Sequence, residues 1–246
     1  MGEIVSRLSP NHDERADGAS VDILLLHYTG MPTGEAALER LCDPEAKVSA
    51  HYLIDEAGDV SRLVPEERRA WHAGVAHWAG ESDINGRSIG IELVNPGHEF
   101  GYRAFPEAQM RALAALANDI LLRHPIPPER VLAHSDVAPI RKQDPGEKFD
   151  WAWLADRGVG HWVEPLHVME GPVRRDGDRG DDVAELQFML ADYGYGLVVD
   201  GNYGPVTHAA VAAFQRHFRP AKIDGIADLS TVFTLHELRD ALTGSA

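Results

Sequence analysis

Four apolar residues in unbroken succession, Ile23-Leu24-Leu25-Leu26, run straight into His27. A half-buried strand alternates apolar with polar residues, so a run without a polar break reads as a strand covered on both faces. Such a strand needs layers on either side of one sheet, and this restricts the fold more than any other feature. Ile89-Gly90-Ile91-Glu92-Leu93-Val94, closed by Asn95-Pro96-Gly97, reads as a second strand, and Val131-Leu132-Ala133 as a third that delivers His134. His51-Tyr52-Leu53-Ile54 and Val60–Val64 flank the turn Glu56-Ala57-Gly58-Asp59 and predict a hairpin. Between Pro106 and His124 the residues Met110, Leu113, Ala117, Ile120 and Leu121 recur at helical spacing, with Pro106 suited to the first turn and Pro125 a stop. The expected class is α/β (α+β), a mixed central sheet flanked by helices.

Three patches read together as one metal site. His27 ends the first apolar run, His134 ends the third, and Asp144 lies in Lys142-Gln143-Asp144-Pro145-Gly146. Two imidazoles and one carboxylate leave the fourth tetrahedral position of a zinc ion free for water or substrate. A tight Asp-Pro-Gly turn can hold the carboxylate rigidly. A closed structural site would use several thiolates, and the chain has one cysteine, Cys42, read as a packed thiol. The pattern points to hydrolysis. Asp136 reads as a local cap or a partner standing behind the ligands.

The other candidates each carry two readings. Glu92 alternates with Ile91 and Leu93, as on the solvent face of a half-buried strand, and it also suits a general base that activates water. Lys142 is a surface lysine on its own and an oxyanion partner beside Asp144. Ala70-Trp71-His72-Ala73-Gly74, with His77-Trp78 following, can line a sugar or peptide cleft or pack as an aromatic lid. His51 is either an inward, satisfied histidine or a cleft wall.

A net charge of -16 speaks against nucleic acid or an anionic membrane as partner. No apolar run is long enough to span a bilayer, and Met1–Ser20 is polar and acidic with no signal peptide visible. The expected location is the periplasm or cell envelope if the chain is exported, and the cytoplasm if it is complete as it stands.

His167–Asp178 holds Gly171, Pro172 and Gly177 with little periodicity and reads as a linker. Beyond it the chain echoes itself: Asp200-Gly201 precedes Thr207 as Asp224-Gly225 precedes Thr231, and each pair leads into a helical segment. With Val183–Leu190 this predicts a small three-helix unit carrying a weak duplication. The expected division is a first domain over 1–165, a linker over 166–178 and a helical domain over 179–246. The first is expected to be self-sufficient if the chain ends near Glu164.

His27-Tyr28-Thr29, Val48-Ser49-Ala50-His51-Tyr52-Leu53-Ile54, Ala70-Trp71-His72-Ala73-Gly74, Ser88-Ile89-Gly90-Ile91-Glu92-Leu93, Ala133-His134-Ser135-Asp136-Val137-Ala138-Pro139 and Arg141-Lys142-Gln143-Asp144-Pro145-Gly146 resemble the zinc-dependent N-acetylmuramoyl-L-alanine amidases, which share the fold of the peptidoglycan recognition proteins. Leu186-Gln187, Tyr193-Gly194-Tyr195, Asp200-Gly201, Thr207 and Phe214–Pro220 resemble the helical peptidoglycan-binding module, and the pairing of the two is similar to the AmiD type of amidase. Enzymes of that type are typically outer-membrane lipoproteins, whereas no lipid-attachment cysteine stands near the start here. The resemblance implies His27, His134 and Asp144 as ligands of Zn2+, Glu92 and Lys142 as the catalytic pair, and His51, Trp71, His72 and Asn95 as cleft residues. It implies a monomer that cleaves the amide between N-acetylmuramic acid and L-alanine in peptidoglycan or muropeptides. The alternative is a non-catalytic peptidoglycan-binding recognition protein. A zinc peptidase of the stem peptide is a third reading, disfavoured because no H-E-x-x-H helix is present.

Overall fold

The computed structural model describes residues 4–168 and 170–244. The outer ends of the first and last expected domains, and Met169 of the expected linker, lie outside the described residues. In chain order the first part forms strands Val5–Ser6 (β1), His12–Glu14 (β2) and Ile23–Tyr28 (β3), helix Gly34–Cys42 (α1), and strands Tyr52–Ile54 (β4), Val60–Arg62 (β5) and Arg68–Ala70 (β6). Helix Ile84–Arg87 (α2), strand Ser88–Leu93 (β7), helices Gly97–Phe100 (α3) and Glu107–Arg123 (α4), strand Val131–Ala133 (β8), and helices His134–Val137 (α5) and Trp151–Ala155 (α6) follow.

Six strands make one sheet in the order β1-β5-β4-β7-β3-β8, parallel throughout except for the antiparallel hairpin β4/β5. The fold class is the expected mixed sheet with helical layers. β2 and β6 form a separate antiparallel pair.

The period of two along β3 and β7 sorts the core into layers. Leu24, Leu26, Ile89, Ile91 and Leu93 share an apolar cluster with Met110, Leu113, Ala117 and Ile120 of α4. These α4 residues recur at helical spacing, so one stripe of the helix covers the sheet. Gln109 is buried on the same helix, and its amide donates to Ile54 O at 2.9 Å and Val94 O at 3.1 Å, tying α4 to the ends of β4 and β7. The opposite face carries Ile23, Leu25 and His27 from β3, and Ser88, Gly90 and Glu92 from β7. On that face α1 packs Leu41 against Leu53 and Val94.

The C-terminal part folds into three helices, Asp181–Tyr193 (α7), Pro205–Phe218 (α8) and Leu229–Thr243 (α9). The repeated Asp-Gly and Thr have a common physical basis. Gln187 donates to Asp200 Oδ1, Asn202 O and Thr207 Oγ1, each at 3.0 Å, and accepts from the Asp200 and Gly201 amides. Gln215 makes the same set with Asp224, Ile226 O, Thr231, and the Asp224 and Gly225 amides. One buried glutamine thus staples each loop to the helix that follows.

The first part, expected to be self-sufficient, packs against the helical part. Ile23, Leu25, Trp78, Leu132, Val137 and Ala138 belong to one contiguous cluster with Leu190, Phe214, Phe218, Leu235 and Leu238 of the helical part. The segment read as a linker is held as well: Arg174 and Ala227 exchange two backbone hydrogen bonds at 3.0 and 2.9 Å, and Ser230 Oγ donates to Leu166 O. Apolar burial across the boundary makes the two parts share a core.

Candidate metal centre and the cleft around it

β3 and β7 pair in register so that His27 stands opposite Glu92, at the carboxyl ends of two neighbouring parallel strands. β8, on the other side of β3, ends at Ala133, and His134 is the first residue of the turn α5. The third strand end thereby brings a second imbidazole-bearing residue, His134, beside the first. Asp144 comes back from the loop after α5, where its carbonyl accepts from the Ser135 amide at 3.0 Å. Gly146 completes that turn at φ +86°, with the Tyr102 hydroxyl packed where a Cβ would stand. Tyr102 also donates to Pro145 O at 2.8 Å.

The result is a buried cluster of His27, His134 and Asp144 whose donor atoms all lie within 4.8 Å of one another. His27 Nδ1 and His134 Nδ1 are 2.8 Å apart, and Asp144 Oδ2 is 3.2 Å from the first and 2.9 Å from the second. The outer ring nitrogens assign the protons. His134 Nε2 lies 3.0 Å from Ala73 O and donates to it, which leaves Nδ1 as a bare lone pair. Ser88 donates its hydroxyl proton to Ile84 O at 2.6 Å, so Ser88 Oγ accepts from His72 Nε2 at 3.3 Å. His72 Nδ1 is then bare and accepts from His27 Nε2 at 3.0 Å, leaving His27 Nδ1 bare too. Two imidazole lone pairs and a carboxylate aimed at one point repel each other unless a cation sits among them. This donor set fits a divalent metal.

The electrostatics agree. Burial, with His134 adding to it, lowers the His27 pKa to about 4. Burial alone would raise Asp144, but the two imidazoles hold its carboxyl well below the usual carboxylate range. Burial, then the charges of its histidine neighbours, pushes His72 well down.

Glu92 does not lie on a solvent face. It lines a cleft of about 420 Å3 with Tyr28, Trp71, His72, His134, Lys142 and Asp144. Its Oε2 is buried with no hydrogen-bond partner among the described residues. Burial, helped by Asp144 and opposed by Lys142, pushes its pKa up to about 8.

Of the four expected cleft residues, Trp71 and His72 line the cleft, and His51 and Asn95 do not. His51 is fully buried behind it: Nδ1 accepts from the Gly90 amide at 3.0 Å, and Nε2 lies 3.1 Å from Arg68 O. Asn95 spends its side chain on its own loop, donating to Arg103 O at 2.8 Å and accepting from the Gly97 amide at 3.1 Å. His51 thus supports β7 through Gly90 and Asn95 its own loop, and each has its polar atoms already committed. Trp78 packs on Tyr193 and Tyr195 rather than on the cleft.

Sequence reading missed three supports. Asn85 Oδ1 accepts from the His72 and Ala73 amides at 3.0 and 2.8 Å, fixing that loop. Gly90 leaves room for the His72 ring, which lies where a Cβ would project from β7. An isolated glycine inside a strand signals such a close approach. Asp136 caps the Ala133 amide at 2.8 Å, as expected, but its other partners are Tyr195, just past α7, and His217 of α8.

Residues 17–147 match the N-acetylmuramoyl-L-alanine amidase family, and residues 179–235 match a putative peptidoglycan binding domain. The chain is similar to the N-acetylmuramoyl-L-alanine amidase AmiD of Escherichia coli, at 37% identity over 92% of this chain and 84% of that protein. The 1,6-anhydro-N-acetylmuramyl-L-alanine amidase AmpD of Citrobacter freundii is 37% identical over 58% of this chain and 84% of its own length. The structure of Escherichia coli AmiD with the substrate anhydro-N-acetylmuramic acid-L-Ala-D-gamma-Glu-L-Lys superposes at a TM-score of 0.77, with 36% identity and 93% of each chain covered. AmpDh3 of Pseudomonas aeruginosa with an anhydromuramic pentapeptide gives 0.76, with 31% identity and 96% of each chain covered.

Proposed function

The chain belongs to the N-acetylmuramoyl-L-alanine amidase family, and from that premise we propose that it hydrolyses the amide joining N-acetylmuramic acid, including its 1,6-anhydro form, to L-alanine in peptidoglycan or muropeptides. The observation that carries this reading is the convergence of His27 Nδ1, His134 Nδ1 and Asp144 Oδ2 at one end of a cleft that also holds Glu92 and Lys142. The three are proposed as ligands of zinc. Bound there, zinc supplies Lewis-acid polarisation of the scissile carbonyl and lowers the pKa of water to about 7.

The chain's own residues supply the rest. Glu92, with Oε2 unpartnered and buried, takes the proton from the attacking water. Lys142 lines the same cleft and faces the charge that develops on the carbonyl oxygen. Glu92 then returns its proton to the nitrogen of the departing L-alanine, so that the C–N bond breaks to a neutral amine. His72 holds His27 with its Nδ1 free, and Ala73 O does the same for His134. Trp71 and Tyr28 offer apolar walls for sugar and peptide.

The proposed division of labour assigns chemistry to 1–165, connection to 166–178 and peptidoglycan recognition to 179–246. A carboxylate oxygen with no hydrogen-bond partner among the described residues, in a cleft beside the His27, His134 and Asp144 cluster, supports catalysis over non-catalytic recognition. Mass spectrometry of treated muropeptides tests the reading. A free stem peptide beginning at L-alanine is expected; intact material marks a binder, and shortened stems mark a peptidase.

A further inference from the structure

We propose that Tyr195 and His217, both from the C-terminal helical part, are positioning residues for the metal ligand His134, acting through Asp136. The proposal rests on the reading of His27, His134 and Asp144 as the metal site.

Asp136 is fully buried. Its Oδ2 accepts from the Ala133 amide at 2.8 Å, which fixes the residue immediately before His134. The same oxygen is 2.6 Å from His217 Nδ1, and Oδ1 accepts from the Tyr195 hydroxyl at 2.9 Å. A buried carboxylate needs donors in place of water, and two of the three here come from the other part of the chain. His217 is itself held between rings, stacked 3.7 Å from Trp151 at 22° and 3.8 Å from Phe218 at 5°. Its nitrogen is therefore delivered to Asp136 in a fixed orientation.

A second, separate set of contacts reaches the other side of His134. The His134 ring donates to Ala73 O, and the loop that follows Ala73 is docked on the helical part by Trp78. Trp78 lies 5.0 Å from the Tyr195 ring, edge to face, and pairs with Tyr195 in an isolated bridge, while the Ala79 amide donates to Gly194 O at 2.8 Å. His77 N donates to Val137 O at 2.8 Å, closing this loop back onto α5. Both the backbone before His134 and the carbonyl that fixes its tautomer thus lean on Tyr195 and its neighbours. A part read from sequence as a tethered recognition unit forms the back wall of the metal centre.

The test uses the full chain. The double variant Tyr195→Phe/His217→Gln removes both donors to Asp136 while keeping the Tyr195 ring against Trp78. Tyr195→Phe alone serves if the double variant does not fold at assay temperature. Leu238→Ala, a change in α9 within the same apolar cluster that removes no hydrogen bond to Asp136, is the control for general loosening. The readouts are the zinc dissociation constant from chelator competition and the visible spectrum of the cobalt-loaded protein. The expected result is zinc binding weakened about 10-fold or more in the Asp136-partner variants, with an altered cobalt spectrum, against wild-type values in Leu238→Ala. Wild-type zinc affinity and spectrum in the folded partner variants overturn the proposal, as does an equal loss in Leu238→Ala. A wild-type chain that takes up no zinc, or a His134→Ala chain that binds it equally well, overturns the metal site and this proposal with it.

Discussion

Glu92 stands directly across from His27 in the parallel pairing of β3 and β7, both at the carboxyl ends of their strands and both on the sheet face that carries the cleft. Because side chains alternate along a strand, His27 and Glu92 share that face with Leu25 and Gly90, one step back along each strand. The proposed proton acceptor and a candidate ligand are therefore held side by side by backbone hydrogen bonds rather than by a loop. Shifting either strand by one residue would turn its own group into the α4 layer and leave the other without its neighbour.

Purified protein is expected to carry about one zinc per chain, as one three-ligand site requires. His134→Ala should abolish hydrolysis and lower zinc retention, measured by elemental analysis after dialysis. Full activity in the metal-free variant would remove the site assignment.

Glu92→Gln is expected to cut turnover on the order of 10²–10⁴-fold while leaving zinc content near normal. The same substitution has a pH signature in metal-free protein. With the folded pKa raised to about 8, the native state binds more protons than the unfolded state between the ordinary carboxyl range and pH 8. Stability contributed by the protonated Glu92 is present at low pH and lost as pH rises through that window. The melting temperature of Glu92→Gln relative to wild type should therefore be higher at pH 8 than at pH 5. A difference independent of pH would place Glu92 in water.

His72→Phe keeps a ring over Gly90 and removes the acceptor for His27 Nε2. Zinc binding should weaken by about 10–100-fold, because the tautomer of His27 is no longer assigned. A raised KM with unchanged zinc affinity would instead make His72 a substrate contact.

Ending the chain near Glu164 removes the apolar cover from Trp78, Val137 and Ala138. Exposure of each large side chain costs about 1.5–3 kcal/mol, against a total stability of roughly 5–15 kcal/mol. Activity is expected to fall on soluble muropeptides and on insoluble sacculi alike, with a lowered melting temperature. Retention of the full rate on soluble substrate would show the first part to be independent.

Glu66 reports on acid stability. Burial would raise its pKa, but hydrogen bonds from Arg123, His124 and Tyr52 bring it down to about 2. Its contribution is full above the ordinary carboxyl pKa and is lost as pH falls toward 2. Glu66→Gln should flatten the decline of melting temperature between pH 5 and pH 2.

Five strands of the main sheet, β3, β4, β5, β7 and β8, the long helix and the three candidate metal-site residues were legible locally, whereas β1, β2 and β6 were not. A short unbroken apolar run reads as a doubly covered strand, and the spacing in α4 marks one face. The buried His27, His134 and Asp144 cluster was legible because each member closes an apolar run or sits in an Asp-Pro-Gly turn. Glu92 was ambiguous for a physical reason. Alternation tells which residues share a face, and gives no sign of whether that face meets bulk water or a closed cleft. His51 and Asn95 looked like cleft residues because they lie beside cleft residues in sequence. Their hydrogen bonds to Gly90, Arg103 and Gly97 are set by distant parts of the chain.

What the sequence determined by itself was the central strands, the longer helices and the chemistry they could carry, since these depend on periodicity, turn residues and donor types within a few positions. It required a cover on both faces of Ile23–Leu26 without naming one. Only the tertiary structure decided that the apolar cluster on the Ile23 and Leu25 face continues into the C-terminal helices, and that Asp136 takes its partners from Tyr195 and His217. Those choices join residues 59 and 81 positions apart. They follow from the free energy of burying apolar surface and satisfying a buried carboxylate across the whole chain, which no local pattern records.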